Sequence, residues 1–177
     1  MITKAGRTAA AAAALTIAAV GTLCTRGAHG AELLVNPFHD PFAQLTHGLA
    51  SCPVPGPPTY THAEMAEVEH HRVERGNSCY LAGKCRYASS FMYDRGIAAG
   101  LFPALARDPS LSDSSIWAWI EGRTVQLLGC VRDRAQLAHA RRLAEHWPDV
   151  QTVLPGLMLG TDGTPPYTVE TTAARPK

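Results

Sequence analysis

The sequence has no excess of charge of either sign. Its 16 Lys and Arg residues are matched by 15 Asp and Glu residues, and the formal net charge is +1 over 177 residues. A surface that binds nucleic acid needs clustered basic side chains, whereas the basic residues here are dispersed among acids. The charge pattern therefore predicts no nucleic-acid partner.

Catalytic motifs are also missing. The serines from Ser110 to Ser115 have no G-x-S-x-G context, so nothing indicates a hydrolase nucleophile. A catalytic thiol must stay reduced and activated, whereas the cysteine content here favours crosslinks. We predict a protein that is not an enzyme and that has no cofactor.

A metal site is the other chemistry considered. His62, His70 and His71 lie among glutamates, and Glu67 and His71 have the i, i+4 spacing that can bind a metal ion. No recognised ligand motif is present, and a solvated helix face with paired charges explains the same residues. We predict no metal site.

The longest apolar run, at residues 9–23, is too short and too rich in alanine to span a membrane, which takes roughly 20 apolar residues. It follows a basic start and precedes a small-x-small site at residues 28–30, an arrangement typical of a secretory signal. We predict cleavage after Gly30 and export to the periplasm. Cys24 follows Leu23, where a lipoprotein would have a small residue, so no lipid anchor is expected.

The remaining cysteines would enter an oxidising compartment, where disulfide bonds are the default. They are Cys52, Cys79, Cys85 and Cys130. Gly83 allows a tight loop between Cys79 and Cys85, and that pair would leave Cys52 for Cys130. This is one of three pairings of four cysteines, and spacing alone does not choose among them.

The chain divides into four segments. Residues 1–30 form the signal, residues 31–88 a mostly irregular, Pro- and Cys-containing extension, residues 89–160 a domain, and residues 161–177 a disordered tail. Within the extension, Thr61 and Glu64 have capping-box spacing, and Gly76 supplies a stop. They predict a short polar helix over about residues 61–75.

The domain reads as helix, strand, strand, helix and strand. A helix over about 90–107 has a four-residue apolar spacing, and Pro103 predicts a kink or a restart within it. Alternating strands follow on either side of a turn at Glu121-Gly122-Arg123. A second helix over about 133–147, which packs through its alanines, including Ala135, precedes a last strand at 150–159.

This order resembles the BON-domain family. The resemblance lies in the segments 124–131 and 149–153, including the G-x-V that begins at Gly129 and the V-x-x-V of Val150 and Val153. It covers roughly residues 94–160, in a single copy preceded by the Cys-containing extension. It implies an α+β fold in which two helices pack on one face of a mixed three-stranded sheet.

The resemblance also implies a function. It is that of an exported, non-enzymatic binding module of the bacterial cell envelope, associated with phospholipid surfaces, envelope integrity and stress response. The alternative is a structural or protein-interaction module of the periplasm without a lipid role. Arg141 and Arg142 on the second helix are the candidate contacts to lipid head groups.

The sheet face turned away from the helices is unusually apolar. Its candidate docking residues are Trp117, Trp119, Leu128, Leu154 and Met158, with Cys130 on the same side. So large an apolar surface is rarely exposed on a monomer, so we expect it to be covered. The extension, a second copy and a lipid surface are the three candidates, and Cys130 favours the extension because it needs a partner there.

Overall fold

The computed structural model describes residues 32–170. The predicted signal sequence with its cleavage site after Gly30, and Cys24 within it, lie outside the described residues. Among the residues described, no helix is long and apolar enough to cross a membrane.

Helices and strands are mixed along the chain, which confirms the α+β class. The helices are α1 (His62–Glu74), α2 (Asn77–Leu81), α3 (Asp94–Ala106) and α4 (Arg134–Glu145). The strands are β1 (Leu34–Val35), β2 (Phe42–Gln44), β3 (Thr59–Tyr60), β4 (Ser115–Glu121), β5 (Thr124–Val131) and β6 (Thr152–Leu159). Short 3-10 helices cover Ser90–Tyr93 and Pro109–Leu111.

The main sheet has the strand order β2-β4-β5-β6, and β1 and β3 form a separate two-stranded ribbon. The β4–β5 pair is antiparallel and β6 runs parallel to β5. The sheet therefore has four strands where three were expected. The extra strand comes from the extension, because Phe42 pairs with Trp119 and Gln44 with Trp117 along the free edge of β4.

The core lies between the sheet and the α3 and α4 helices, which pack on the same face. The predicted alternation holds, since the inward side chains of β4 and β5 meet those of α3 and α4. This core includes Ile97, Leu101, Leu105, Ile116, Ala118, Ile120, Val125, Leu127, Ala140 and Ala144. Ala135, expected in the interface, is exposed instead, and the next residue, Gln136, is buried.

The α3 helix continues through Pro103 to Ala106, so the predicted restart is absent. A proline removes the N–H that would bond the carbonyl four residues earlier, here that of Ala99. Ala99 is exposed, so water can bond this carbonyl.

The β4–β5 turn is built from Gly122 and Arg123, both with positive φ, as expected for the tight turns that match the twist of a hairpin. The carboxylate of Asp94, at the start of α3, accepts hydrogen bonds from both of their backbone N–H groups. This contact ties the hairpin to the first helix of the core.

The predicted helix of the extension is α1. Thr61 and Glu64 form the capping box, with reciprocal side-chain to backbone hydrogen bonds. Gly76, at φ 106°, separates α1 from α2. No residue of α1 is fully buried, so the helix depends on tertiary contacts for its position.

Candidate functional site

The outer face of the sheet is covered by the chain itself. Cys52 is bonded to Cys130 of β5 on this face, and Cys79 is bonded to Cys85. Both are the disulfide bonds that the sequence favoured, and they indicate that the protein folds in an oxidising compartment. Residues 42–58, here called the arm, begin as the edge strand β2 and then run over the outer face.

In addition to the disulfide bond, hydrogen bonds hold the arm on the sheet. The Thr46 hydroxyl accepts a hydrogen bond from the backbone N–H of Ile116, at 2.9 Å. The Ser115 hydroxyl lies 2.9 Å from the backbone nitrogen of Leu49 and 3.0 Å from its oxygen. The arm is thus bonded to β4 at several points.

The tail, described here from residue 161 to 170, also packs on the outer face and bonds the arm. The Tyr167 hydroxyl donates to the carbonyl of Pro53 at 2.8 Å, and the Gly56 N–H donates to the carbonyl of Thr168 at 2.8 Å. The prediction of a disordered tail from residue 161 is therefore wrong for the part described here, because Tyr167 packs on the outer face. Residues 171–177 lie outside the described residues.

The five predicted docking residues do not form one free surface. Trp117 and Leu128 are only 5% and 4% exposed beneath the arm. Trp119 and Met158 are half-buried, and only Leu154, 42% exposed, reaches solvent freely. The arm and the tail therefore occupy the outer sheet face on which the predicted docking residues lie.

Between the arm, the tail and the sheet a cleft of about 350 Å³ remains, lined by aromatic rings of Phe42, Tyr60, Trp119 and Tyr167. The indole Nε1 of Trp119 is buried and, among the described residues, has no hydrogen-bond partner. It is also closed to solvent, so it cannot donate to a molecule in the cleft without rearrangement.

The predicted lipid contacts lie on α4, where Arg141 and Arg142 are both exposed. The Nε of Arg141 donates to Glu145 at 2.6 Å. Arg141 also borders a shallow apolar groove between α4 and β6, formed by Leu137 with Val153 and Leu157. A basic side chain therefore lies beside apolar ones at this edge of the sheet.

Leu154 and Leu159 are exposed on the edge strand β6, with 42% and 41% of their surface accessible to solvent. The backbone N–H groups of Thr152 and Gly160 point toward β5, where they bond Arg123 and Val131. Because alternate residues of a strand direct their N–H groups to the same side, the nitrogen of Pro155 points to the open edge. The proline removes a donor there and hinders the addition of a further strand.

No pattern in the sequence indicates the contact that holds α1. Arg72 donates to Asp40, with Nη1 and Oδ2 2.9 Å apart, and its guanidinium lies between the rings of Phe38 and Phe91. It also contacts Glu121, and burial, followed by the nearby charge of Asp40, raises the pKa of the Glu121 carboxyl. All these partners are distant in sequence, so no local pattern could identify them.

The histidines of α1 remain on the helix surface, where His70 contacts Glu74 at the i, i+4 spacing. Within residues 32–170 no three His, Cys, Asp or Glu side chains come together in a way that could hold a metal ion. Glu67 and His71 thus have no third ligand beside them in this part of the chain.

A second cationic region lies at the start of β6. Arg75 and Arg123 line a cleft next to the Cys79–Cys85 disulfide. Neither residue was singled out in the sequence, because they come from separate elements.

No family model, curated protein or solved structure matches this chain.

Proposed function

We propose that the protein is an exported, non-enzymatic module of the cell envelope that binds anionic phospholipid surfaces through the α4–β6 side of its sheet. The observation that carries the proposal is the exposure of Leu154 at the β6 edge, where it lines one groove with the exposed Arg141 of α4. Basic groups attract an anionic surface and apolar side chains enter its interface, and the two together give peripheral binding.

The BON-like assignment is part of this proposal. The order α3-β4-β5-α4-β6, the antiparallel and parallel pairings, and both helices on one sheet face support it. The arm adds a fourth strand and a disulfide to that arrangement. A role in envelope integrity or stress tolerance, and location in the periplasm after cleavage at Gly30, belong to the same proposal.

The protein-interaction alternative required the outer sheet face. The arm and the tail cover that face, and Pro155 hinders strand addition at the β6 edge. The α4–β6 side needs no backbone pairing to meet a lipid surface, which is why we favour lipid over a strand-adding protein partner.

Co-sedimentation with vesicles tests the proposal. The protein purified after export should bind phosphatidylglycerol vesicles at low salt and not phosphatidylcholine vesicles. The double substitution Arg141→Gln and Arg142→Gln should weaken binding at least tenfold, because each arginine near a charged membrane contributes about 1 kcal/mol. Arg95→Gln on α3 with Arg107→Gln just after it is the matched control and should leave most of the binding.

The apolar contribution has its own variant. Leu154→Asn should weaken binding to the same vesicles, whereas Val73→Asn, at an exposed position on α1, should not. Absence of binding to anionic vesicles at low salt would remove the lipid function.

A further inference from the structure

The cleft next to the Cys79–Cys85 disulfide is a polar cavity of about 320 Å³. It lies where the end of α1, the disulfide loop, the β4–β5 turn and the start of β6 meet. Two arginines line it, Arg75 and Arg123, together with Ser78, Ser90, Gln151 and Thr152. Its lining is therefore rich in hydrogen-bond donors.

Arg123 is held in place by three contacts. Its Nε donates to the backbone oxygen of Asp149 at 2.7 Å, and its guanidinium carbon lies 4.6 Å from the centre of the Tyr93 ring. Its Nη1 lies 3.7 Å from the sulfur of Cys85, a weak contact. The side chain is thus fixed beside the disulfide while some of its N–H groups stay available.

Arg75 reaches the same cleft from the end of α1. Its Nη2 donates to the Thr124 hydroxyl at 3.1 Å. A Cβ atom at Gly122 would lie only 3.1 Å from Nη1 of Arg75, so the glycine of the turn lets the guanidinium lie against the backbone. A guanidinium has five N–H donors, and this contact uses one of them.

Neither guanidinium forms an ion pair with a carboxylate of the described residues, although Arg75 lies close enough to Glu121 for their charges to interact. The nearby acids have other partners, since Glu121 contacts Arg72 and Asp149 contacts Arg86. Backbone and hydroxyl oxygens accept hydrogen bonds from the two arginines without cancelling their positive charge.

We propose that this cleft binds a phosphate group, as free inorganic phosphate or as a phosphate monoester. Guanidinium forks match the geometry of phosphate oxygens, and hydroxyl and amide side chains can bond the oxygens that remain. A dianion also suits two arginines that make no direct ion pair in the described part of the chain. The site lies at the start of β6, next to the α4–β6 side, and phosphate binding does not depend on lipid binding there.

Titration with inorganic phosphate at constant ionic strength tests the site in the ¹⁵N-labelled protein purified after export. The Nε–Hε resonances of Arg75 and Arg123 should shift along a saturable curve. Arg75→Gln should weaken the phosphate affinity at least tenfold. The affinity of Arg75→Lys should lie between those of wild type and Arg75→Gln, because lysine keeps the positive charge but loses the two-pronged geometry of the guanidinium. Arg75 is exposed, and an unchanged urea midpoint would show that the variants fold.

The matched control is Arg95→Gln, which removes one exposed arginine of α3 and should leave the phosphate affinity unchanged. Shifts that grow linearly without saturation, or an equal loss in Arg95→Gln, would overturn the proposal. Either result would mean that phosphate interacts with the general positive surface only.

Vesicles distinguish the two sources of phosphate. If a lipid head group is the ligand, vesicles containing phosphatidic acid should bind more tightly than phosphatidylglycerol vesicles of equal charge, and Arg75→Gln should abolish that difference. If the ligand is soluble, saturable phosphate binding should occur with no preference between the vesicles. Both results support the site, and because the phosphate titration uses no membrane, failure of the lipid function would be seen separately.

Discussion

The Oδ2 atom of Asp94 lies 2.6 Å from the backbone nitrogen of Gly122, and so links the first residue of α3 to the turn of the β4–β5 hairpin. Its Oδ1 atom accepts from the N–H of Arg123 at 2.7 Å. The side chain is almost completely buried. Burial raises the pKa of Asp94 to about 6, although the hydrogen bonds from Arg123 and Gly122 oppose the change.

This pKa predicts a pH dependence of stability. The ordinary pKa of the group is 3.8, so between that value and about pH 6 the native protein holds a proton that the unfolded chain releases. The contribution of Asp94 is therefore fully present below pH 3.8 and is lost as the pH rises through about 6.

The test compares wild type with Asp94→Asn, which does not titrate. The free energy of unfolding of wild type minus that of the variant should fall by about 2 kcal/mol between pH 4.5 and 7.5, at about 1.4 kcal/mol per pKa unit. Urea unfolding at several pH values measures it. A difference that does not change with pH would show that Asp94 has its ordinary pKa in the native state.

Local signals in the sequence predicted local structure. The capping pair Thr61 and Glu64 located α1, and the strict alternation around Trp117 and Trp119 assigned each side chain of β4 to a face. The apolar outer face together with Cys130 indicated a cover from the extension. The first two predictions succeeded because their physical causes lie within a few residues of chain. The cover could be predicted because a large apolar face is rarely left exposed.

Contacts between distant segments could not be predicted in the same way. A buried Asp94 or Gln136 looks like any surface residue until its partner is known, because burial of a polar group depends on hydrogen bonds that the fold supplies. Phe42–Gln44 became a strand because the edge of β4 was available. The cleft of Arg75 and Arg123 needs four elements to meet, and no spacing in the sequence indicates it.

The disulfide between Cys52 and Cys130 should contribute more stability than the one between Cys79 and Cys85. The first closes a loop over a sequence separation of 78 residues and the second over 6. In the chain-entropy model these correspond to about 4.5 and about 2 kcal/mol. We expect losses of this size for Cys52→Ala with Cys130→Ala and for Cys79→Ala with Cys85→Ala.

Tryptophan quenching by acrylamide separates the two variants structurally. Loss of the Cys52–Cys130 bond should loosen the arm and make Trp117 more accessible to the quencher, whereas loss of the other bond should not. Equal quenching in both variants would mean that hydrogen bonds and packing alone hold the arm on the sheet.

Arg72 should be a major contributor to the position of α1. Its side chain is 14% exposed and that of its partner Asp40 only 4%. Arg72→Met keeps apolar bulk between the two phenylalanine rings but leaves Asp40 buried without its cation, which should cost about 3 kcal/mol. Urea unfolding gives the value.

A double substitution identifies the cause of that loss. Adding Asp40→Asn to Arg72→Met should restore part of the stability, because it removes the unpaired buried charge. Glu74→Gln, in the exposed pair with His70, should change stability by less than about 0.5 kcal/mol. If the double variant is no more stable than Arg72→Met, the ring contacts rather than the charge pair hold α1.

We expect that Gly129 of β5 cannot be replaced by a residue with a side chain without a large loss of stability. It has φ +108°, and a Cβ atom there would overlap the backbone oxygen of Ser115 on the neighbouring strand. Backbone atoms in the centre of a sheet cannot move aside as the end of a flexible side chain can. Gly129→Ala should therefore lower the free energy of unfolding by about 3 kcal/mol or more.

Gly163→Ala is the matched control, because Gly163 has φ +119° but no atom within 4 Å of the position of a Cβ. It measures backbone strain without overlap, for which we expect about 1 kcal/mol. Thermal or urea unfolding of both variants gives the comparison. Equal losses would mean that the positive φ alone requires glycine at 129, and that β4 and β5 can separate enough at Ser115 to accommodate a methyl group.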